Sequence, residues 1–437
     1  MNDSAINIDT DEIRRKYREE REKRLRPEGN DQYLEIKDQL GHYLDDPYTP
    51  VSEREPREDH VNVAIIGGGF AGLVTGARLK EAGIEGIRII EKGGDFGGTW
   101  YWNRYPGAQC DTASMVYMPL LEETGHMPSE KYAHGPEILA HSQNIGRQFG
   151  LYDNALFHTR VDSLGWDEGA GLWRIGTDRG DHFTARYVTM GLGPLHVPKL
   201  PGIPGLETFQ GHSFHTSRWD YDYTGGDPTG AALDRLGDKR VAIIGTGATA
   251  VQCIPHLARA CKTLYVCQRT PSSVDVRANE AIDPEWFRGI ATPGWQDRWL
   301  ANFATNQTGM LAEEDWVQDG WTDLSRRVRA RIMELPPEDM TPENMLAAFE
   351  DTDHQKMEEI RGRVDSIVAD ADTAQKLKAW YRQLCKRPCF HDEYLQAYNK
   401  PGCVLVDTDG RGVERITEKG VVVAGVEYPV DCIIYAS

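Results

Sequence analysis

Residues 61–92 read VNVAIIGGGFAGLVTGARLKEAGIEGIRIIEK. The opening VNVAII is a short, β-branched apolar run and predicts a buried strand. Gly67, Gly69 and Gly72 follow in the spacing G-x-G-x-x-G, LVTGARLKEAG continues as a helix, and IRII (residues 87–90) returns to strand. Strand, tight turn, helix and strand make a βαβ unit. Gly67 permits the turn, Gly69 lets backbone approach a pyrophosphate, and Gly72 lets helix and strand pack closely. The helix N-terminus then offers N–H groups and a positive dipole end to phosphate. Glu91 stands 24 residues after Gly67, where a carboxylate accepts from ribose hydroxyls and repels a 2′-phosphate. The glycines alone are weak; with strand, helix and distal acid they form a dinucleotide fingerprint.

The same order recurs in RVAIIGTGATAVQCIPHLARACKTLYVCQR, residues 240–269. Here Gly245, Gly247 and Ala250 hold the three turn positions, Ala being allowed in the third. Arg269 stands 24 residues after Gly245, in the register of Glu91 but with inverted charge. A guanidinium there suits a 2′-phosphate, so the second unit is expected to bind NADP(H). The expected fold class is therefore α/β: two Rossmann-like dinucleotide-binding domains, for FAD and NADP, with a helical insertion.

The rest of the chain fills in around these units. Of 437 residues, 49 are Lys or Arg and 68 Asp or Glu, a formal charge of −19, which disfavours nucleic acid and anionic membrane as partners. No apolar run is long enough to span a bilayer, and the N-terminus lacks the apolar core of a secretory signal, so a cytoplasmic enzyme is expected. Residues 1–60 form a charged extension in which 11–25 should be a helix, packed by Ile13 and Tyr17; residues 53–59 read as a linker. Residues 61–207 are expected to be the FAD-binding domain, 208–274 with 383–437 the NADP-binding domain, and the Trp-, Glu- and Arg-rich 275–382 the insertion. The closing run ends at Ser437 on an apolar strand with no visible partner, which suggests that the sequence is cut short. The eight cysteines are scattered, with no zinc spacing, so no metal is expected.

Two dinucleotide sites argue for electron relay between FAD and NADPH. A disulfide-reductase branch needs a cysteine pair beside the flavin, and Cys110 is the only cysteine in residues 61–200. Oxygen chemistry is favoured instead. GGTWYWNRYPGAQCD (residues 97–111) and FQGHSFHTSRWD (residues 209–220) resemble the flavin-dependent Baeyer–Villiger monooxygenases. Phe209, Gly211, His215, Trp219 and Asp220 match that family's signature, and the resemblance is nearest to the subgroup acting on large cyclic or polycyclic ketones.

The resemblance implies NADPH- and O2-dependent oxidation of a ketone to an ester or lactone through a flavin C4a-peroxide. It places Thr99, Trp100, Asp111 and Tyr117 against FAD, with the backbone of Val161 meeting the adenine. Thr246, Gly247, Ala248, Thr249, Ala250, Gln252, Arg269 and Thr270 match the NADP site, and Lys386 a second phosphate-binding cation. Gln109 stands where smaller-ketone relatives carry arginine. Arg387 matches the catalytic arginine, with Asp111 placed to orient it. A fixed guanidinium stabilises an oxyanion without giving up its proton, so residue chemistry and resemblance agree there. Lys386 and Arg387 are expected to point opposite ways if extended. His215 and Trp219 read as inter-domain packing and coupling groups, while Asp95, Trp100, Tyr101 and Trp102 are expected to line or cover the flavin. The alternatives are a flavin monooxygenase oxidising nitrogen or sulfur, and an inactive dinucleotide-binding fragment.

Overall fold

The structure is a computed structural model and describes residues 9–310 and 312–436; the expectation tied to Ser437 falls outside them. The charged extension contributes helix α1 (Thr10–Arg24), capped by Asp9, whose side chain accepts from Glu12 N. Ile13 is its buried apolar anchor and Tyr17 is half-buried. Arg14 reaches Glu350 at 2.9 Å, Lys16 lies over Trp380 and Tyr17 meets His354 edge-on. The helix therefore docks on the insertion rather than standing in solvent.

The first βαβ unit forms as its sequence dictates: β1 (His60–Ile66), α2 (Phe70–Glu81) and β2 (Ile87–Ile90). A longer helix, α3 (Gly135–Gln148), precedes β3 (Val161–Asp167), β4 (Leu172–Thr177) and β5 (His182–Met190). The sheet runs β2-β1-β5-β4-β3, parallel between β1 and its two neighbours and antiparallel beyond β5. Alternate residues of β1 serve opposite faces. Val63 and Ile65 pack under α2 with Leu73, while Ala64 meets Ile175 and Phe183 on the other side.

After β6 (His212–His215) the second unit comprises β7 (Arg240–Ile244), α4 (Ala248–Ala260) and β8 (Thr263–Gln268). The insertion follows as α5 (Pro284–Ile290), α6 (Trp295–Gln307), α7 (Asp323–Met333), α8 (Pro342–Ile367) and α9 (Ala371–Leu377). The chain returns through β9 (Cys403–Asp407), an antiparallel trio β10 (Arg415–Ile416), β11 (Gly420–Val423) and β12 (Val426–Pro429), and finally β13 (Cys432–Tyr435). The second sheet is wholly parallel, in the order β9-β8-β7-β13-β6. Val241, Ile243 and Ile434 face α4 and the insertion, whereas Ala242, Ile433 and Tyr435 face the antiparallel trio. Burial on both faces explains why these strands read as unbroken apolar runs.

One expectation is corrected here. The last run was expected to lack a partner, yet β13 lies between β7 and β6, hydrogen-bonded on both sides. Its partners lie about 200 residues upstream, where local pattern cannot reveal them.

Two joints fix the insertion against the second sheet. The pair Val274–Asp275 runs parallel to Cys389–Phe390, and buried Lys356 holds Asp275 at 2.7 Å and Asp323 at 2.9 Å.

Candidate active site

Two cavities open at the glycine turns. The first, about 390 Å³, is lined by residues between Ile66 and Val197, including Gly67, Gly69, Glu91, Thr99, Trp100, Tyr117 and Val161. Gly67 has φ +109°, and a Cβ there would overlap the Gly191 carbonyl oxygen. A Cβ at Gly72 would overlap the Gly67 carbonyl oxygen. Gly72 thus keeps helix against turn and does not itself face the cavity. Gly69 is the N-cap of α2 and supplies no side-chain hydrogen bond, so first-turn N–H groups are left for a ligand. The residues fit a dinucleotide pyrophosphate.

Glu91 is buried, and its two carboxylate oxygens accept from Gly68 N and Gly93 N, each at 2.6 Å. Burial pushes its pKa up against those bonds. Both carboxylate oxygens hold the glycine turn, while the residue also lines the cavity. Trp100 donates from Nε1 to the Tyr117 hydroxyl at 2.9 Å, which fixes an aromatic wall. Asp95 instead accepts from Tyr152 and Gln143, and Tyr101 is wholly buried and donates to Asp46; neither lines the cavity, whereas Trp102 does.

The second cavity, about 680 Å³, opens where β7 meets α4 and is lined by Gly245, Thr246, Gly247, Ala248, Arg269, Thr270, Lys386 and Arg387. Gly247 caps α4 without a side-chain bond, repeating the first turn. Thr246 donates to Thr270 O at 3.1 Å, Ser272 to Thr246 O at 2.6 Å, and Lys386 Nζ to Pro271 O at 3.1 Å. Burial pulls the Lys386 pKa down, and nearby Arg24 adds to that. Lys386 and Arg387 both border this cavity, but their charged ends diverge, one to Pro271 and the other to Asp111.

Arg387 donates from Nη1 and Nη2 to the two oxygens of Asp111 at 2.7 and 2.8 Å. Asp111 is 5% exposed, and the Arg387 side chain is 53% exposed. Burial opposes the guanidinium's charge, but the bonds to Asp111 outweigh it and raise the pKa further. Arg387 is held two residues ahead of the Val274–Cys389 pairing, where Cys389 N also donates to Ser273 O. Cys110, the neighbour of Asp111 in the chain, packs in one apolar cluster with Trp100 and Tyr117 of the first cavity's wall, and Arg387 borders the second cavity. The ion pair therefore stands between the Tyr117 wall of the first cavity and the rim of the second.

A sequence profile of the family described as "Pyridine nucleotide-disulphide oxidoreductase" matches residues 64–286. The chain is 56% identical over 431 residues to neopentalenolactone D synthase of Streptomyces avermitilis, covering 98% of this chain and 72% of that protein. It is 51% identical over 434 residues to a Baeyer–Villiger monooxygenase of Stachybotrys chlorohalonatus, covering 99% of this chain and 69% of that protein. The chain belongs to the Baeyer–Villiger monooxygenases. Its fold matches the polycyclic ketone monooxygenase from Thermothelomyces thermophila with a TM-score of 0.90 at 42% identity, over 98% of this chain and 72% of that one. It matches the OTEMO complex with FAD and NADP with a TM-score of 0.69 at 29% identity, over 86% of this chain and 71% of that one. The disulfide chemistry in the profile's description finds no dithiol here: Cys110 is buried and unpaired, and burial pushes its thiol up to about 12.

Within this Baeyer–Villiger monooxygenase, several matched residues serve the joint between the two sheets rather than a cavity wall. Thr249, Ala250, Gln252, Gln109 and Asp111 line neither dinucleotide cavity. Gln252 accepts from Tyr105 at 2.9 Å and donates to Gln109 O at 2.7 Å, clamping α4 to the loop before Asp111. Gln109 donates to Tyr132 O at 2.6 Å and accepts from Arg277. Arg277 is buried, and it brings a guanidinium to the Gln109 side chain. Trp321 of the insertion donates to the Asp111 carbonyl at 2.6 Å, and Arg387 lies over its ring. Nothing in the local sequence of Arg277 or Trp321 points to this site, because their hydrogen bonds to Gln109 and Asp111 span 168 and 210 residues.

The signature stretch is structural. Trp219 is buried and donates to Thr224 Oγ1 at 3.0 Å, with Phe214 edge-on to its ring. His215 Nδ1 shares a 2.8 Å bond with Ser217 Oγ. Asp220 caps the following helical turn by accepting from Tyr223 N and also bonds His212. Arg218 stacks on Trp102 at 3.7 Å, and burial lowers its pKa to about 10. The segment joining the two sheets is thus pinned to the first cavity's wall.

Proposed function

We propose that this chain catalyses NADPH- and O2-dependent insertion of an oxygen atom beside the carbonyl of a bulky cyclic ketone, forming an ester or lactone. The observation that carries this reading is the bidentate Arg387–Asp111 pair between two glycine-turn cavities. In this reading residues 61–207 hold FAD, residues 208–274 with 383–437 hold NADPH, residues 275–382 are the insertion and residues 1–60 the extension. That the described residues lining the first cavity all fall between Ile66 and Val197 supports the division. Preference for a bulky ketone is supported by the polycyclic ketone monooxygenase, whose fold is so similar.

Bound FAD, reduced by NADPH, supplies the activation of O2. The chain's own groups do the rest. The Gly67–Gly72 turn and the α2 N-terminus bind pyrophosphate, and Trp100, Tyr117 and Val161 orient what lies beyond it. Arg269, Thr270 and Lys386 receive the phosphates of NADPH. When the ketone carbonyl carbon is attacked, negative charge gathers on the carbonyl oxygen. The Arg387 guanidinium stabilises that charge as a fixed donor that does not release its proton. Asp111 fixes the plane of the fork, so little reorganisation accompanies the reaction. Trp321 and the Gln252–Gln109 clamp hold the Asp111 loop in turn.

The test is a panel of monocyclic and polycyclic ketones, amines and sulfides, with NADPH consumption and product mass measured together. Lactone or ester from polycyclic ketones is expected. Preferential oxidation of amines or sulfides refutes the reading.

A further inference from the structure

The N-terminal extension does not stop at its helix. Beyond Arg24 the chain crosses the mouth of the second cavity, and Arg26, Glu28, Asp31, Gln32 and Tyr33 form one of its walls. The crossing is anchored at both ends. Lys23 pairs with Asp409 at 2.6 Å, and Arg26 donates to the carbonyls of Gly410 and Arg411, each at 2.8 Å. At the far end Tyr33–Leu34 pairs antiparallel with Leu200–Pro201, and Gly202 N donates to Gln32 O at 2.8 Å.

Gln32 sits at the centre of this wall. Its Oε1 accepts from Arg269 Nη1 at 2.8 Å, and its Nε2 donates to Gly29 O at 2.6 Å. The amide orientation is therefore determined: the N–H side is taken by a carbonyl, so the oxygen faces the guanidinium. No carboxylate pairs with Arg269 among the described residues. A neutral acceptor fixes the direction of a guanidinium without cancelling its charge, whereas an acid would do both. Arg269 has further N–H groups beyond the one held by Gln32.

We propose that Gln32 is a positioning residue for 2′-phosphate recognition, so that the extension carries part of the selection of NADPH over NADH. This rests on the reading that the second cavity binds NADPH with its 2′-phosphate at Arg269. Gln32 aims the Arg269 fork into the cavity and leaves its full charge for the phosphate. The acids Glu28 and Asp31 share the same wall, so an additional carboxylate at position 32 would tip the local field against a phosphate dianion.

The experiment measures dissociation constants of NADP+ and NAD+ by calorimetric titration of the oxidised flavoprotein, for wild type, Gln32→Glu, Gln32→Ala and Arg269→Ala. Flavin content and thermal unfolding confirm that each variant is folded. Arg269→Ala is expected to weaken NADP+ by about 10- to 100-fold with little change for NAD+. Gln32→Glu should weaken NADP+ by roughly 10-fold and leave NAD+ within about 2-fold, because a carboxylate neutralises Arg269 and repels the phosphate. Gln32→Ala, which frees Arg269 without opposing it, should fall between wild type and Gln32→Glu. If Arg269→Ala shifts the NADP+ to NAD+ ratio and Gln32→Glu does not, the role of Gln32 is overturned and the cavity assignment stands. Equal weakening of both coenzymes by Gln32→Glu also overturns it, since that is what a merely structural wall would give. If Arg269→Ala leaves the ratio unchanged, the cavity assignment itself fails and the inference with it.

Discussion

Among the described residues, Arg387→Ala removes the only side chain that bonds the Asp111 carboxylate, at 2.7 and 2.8 Å. Two separable losses follow. The first concerns the reaction: deleting one oxyanion-stabilising donor typically costs about 10²–10³ in rate, or roughly 2.7–4 kcal/mol. Reduction of the flavin by NADPH needs alignment of cofactors and no oxyanion stabiliser, so NADPH should still be consumed, with hydrogen peroxide released and ester yield close to nothing. The second concerns stability. Asp111 is 5% exposed, and Trp321 serves its backbone carbonyl, not its carboxylate. An unpaired buried carboxylate costs about 1–3 kcal/mol, more when fully enclosed. The half-exposed position of Arg387 lets water enter from its side and holds the cost toward the lower end. Adding Asp111→Ala to Arg387→Ala removes the stranded charge, so the double variant should regain thermal stability without regaining ester formation. Arg387→Lys should rescue little, because a compact ammonium cannot span both carboxylate oxygens. Stopped-flow reduction, peroxide release and ester yield per NADPH are measured on the same preparations. Ester yield near wild type in Arg387→Ala, or its recovery in the double variant, refutes the assignment of Arg387.

Other expectations follow from particular contacts. Gly69→Ala brings a methyl close to Gly98 Cα, at 3.3 Å, whereas Gly72→Ala overlaps the Gly67 carbonyl. The first should fold and bind little flavin, read from absorbance of the purified protein; the second should lose soluble expression, and a stable, yellow Gly72→Ala protein would contradict the packing argument. Trp321→Phe deletes the bond to Asp111 O and should lower ester formed per NADPH about 5-fold, roughly 1 kcal/mol, with flavin reduction unchanged; a proportional loss in both half-reactions would make Trp321 a general stability residue. Asp353 is fully buried, its Oδ2 has no hydrogen-bond partner, and burial raises its pKa to about 6. The folded state holds that proton more tightly than the unfolded chain, so the group's stabilising contribution is complete below about pH 4 and is lost as pH rises through 6. Asp353→Asn should therefore raise thermal stability at pH 8 by up to roughly 3 kcal/mol and have little effect at pH 4; a pH-independent difference would show that the side chain does not titrate in this range.

The sequence by itself determined the two glycine turns, their flanking strands and helices, and the contrast between Glu91 and Arg269. These are legible because each depends on neighbours in the chain: a β-branched run, a backbone that must come close, a helix started by glycine. Helix α1 was legible for the same reason, in the spacing of its charges, and the helical character of the insertion in its composition and its lack of strand signals. Arg387 and Asp111 as its orienting partner were visible through resemblance and charge, but the bidentate geometry of a pair 276 positions apart was not. The partners of β13, the Gln252 clamp, Trp321 over the Asp111 loop and Gln32 on Arg269 belong to the same class. Each is a contact between segments that a parallel sheet or a docked extension brings together. Local periodicity reports which face of an element is apolar, not which distant element covers it. Only the order of strands in the second sheet decides that the extension and the residue after the last strand meet around one cavity.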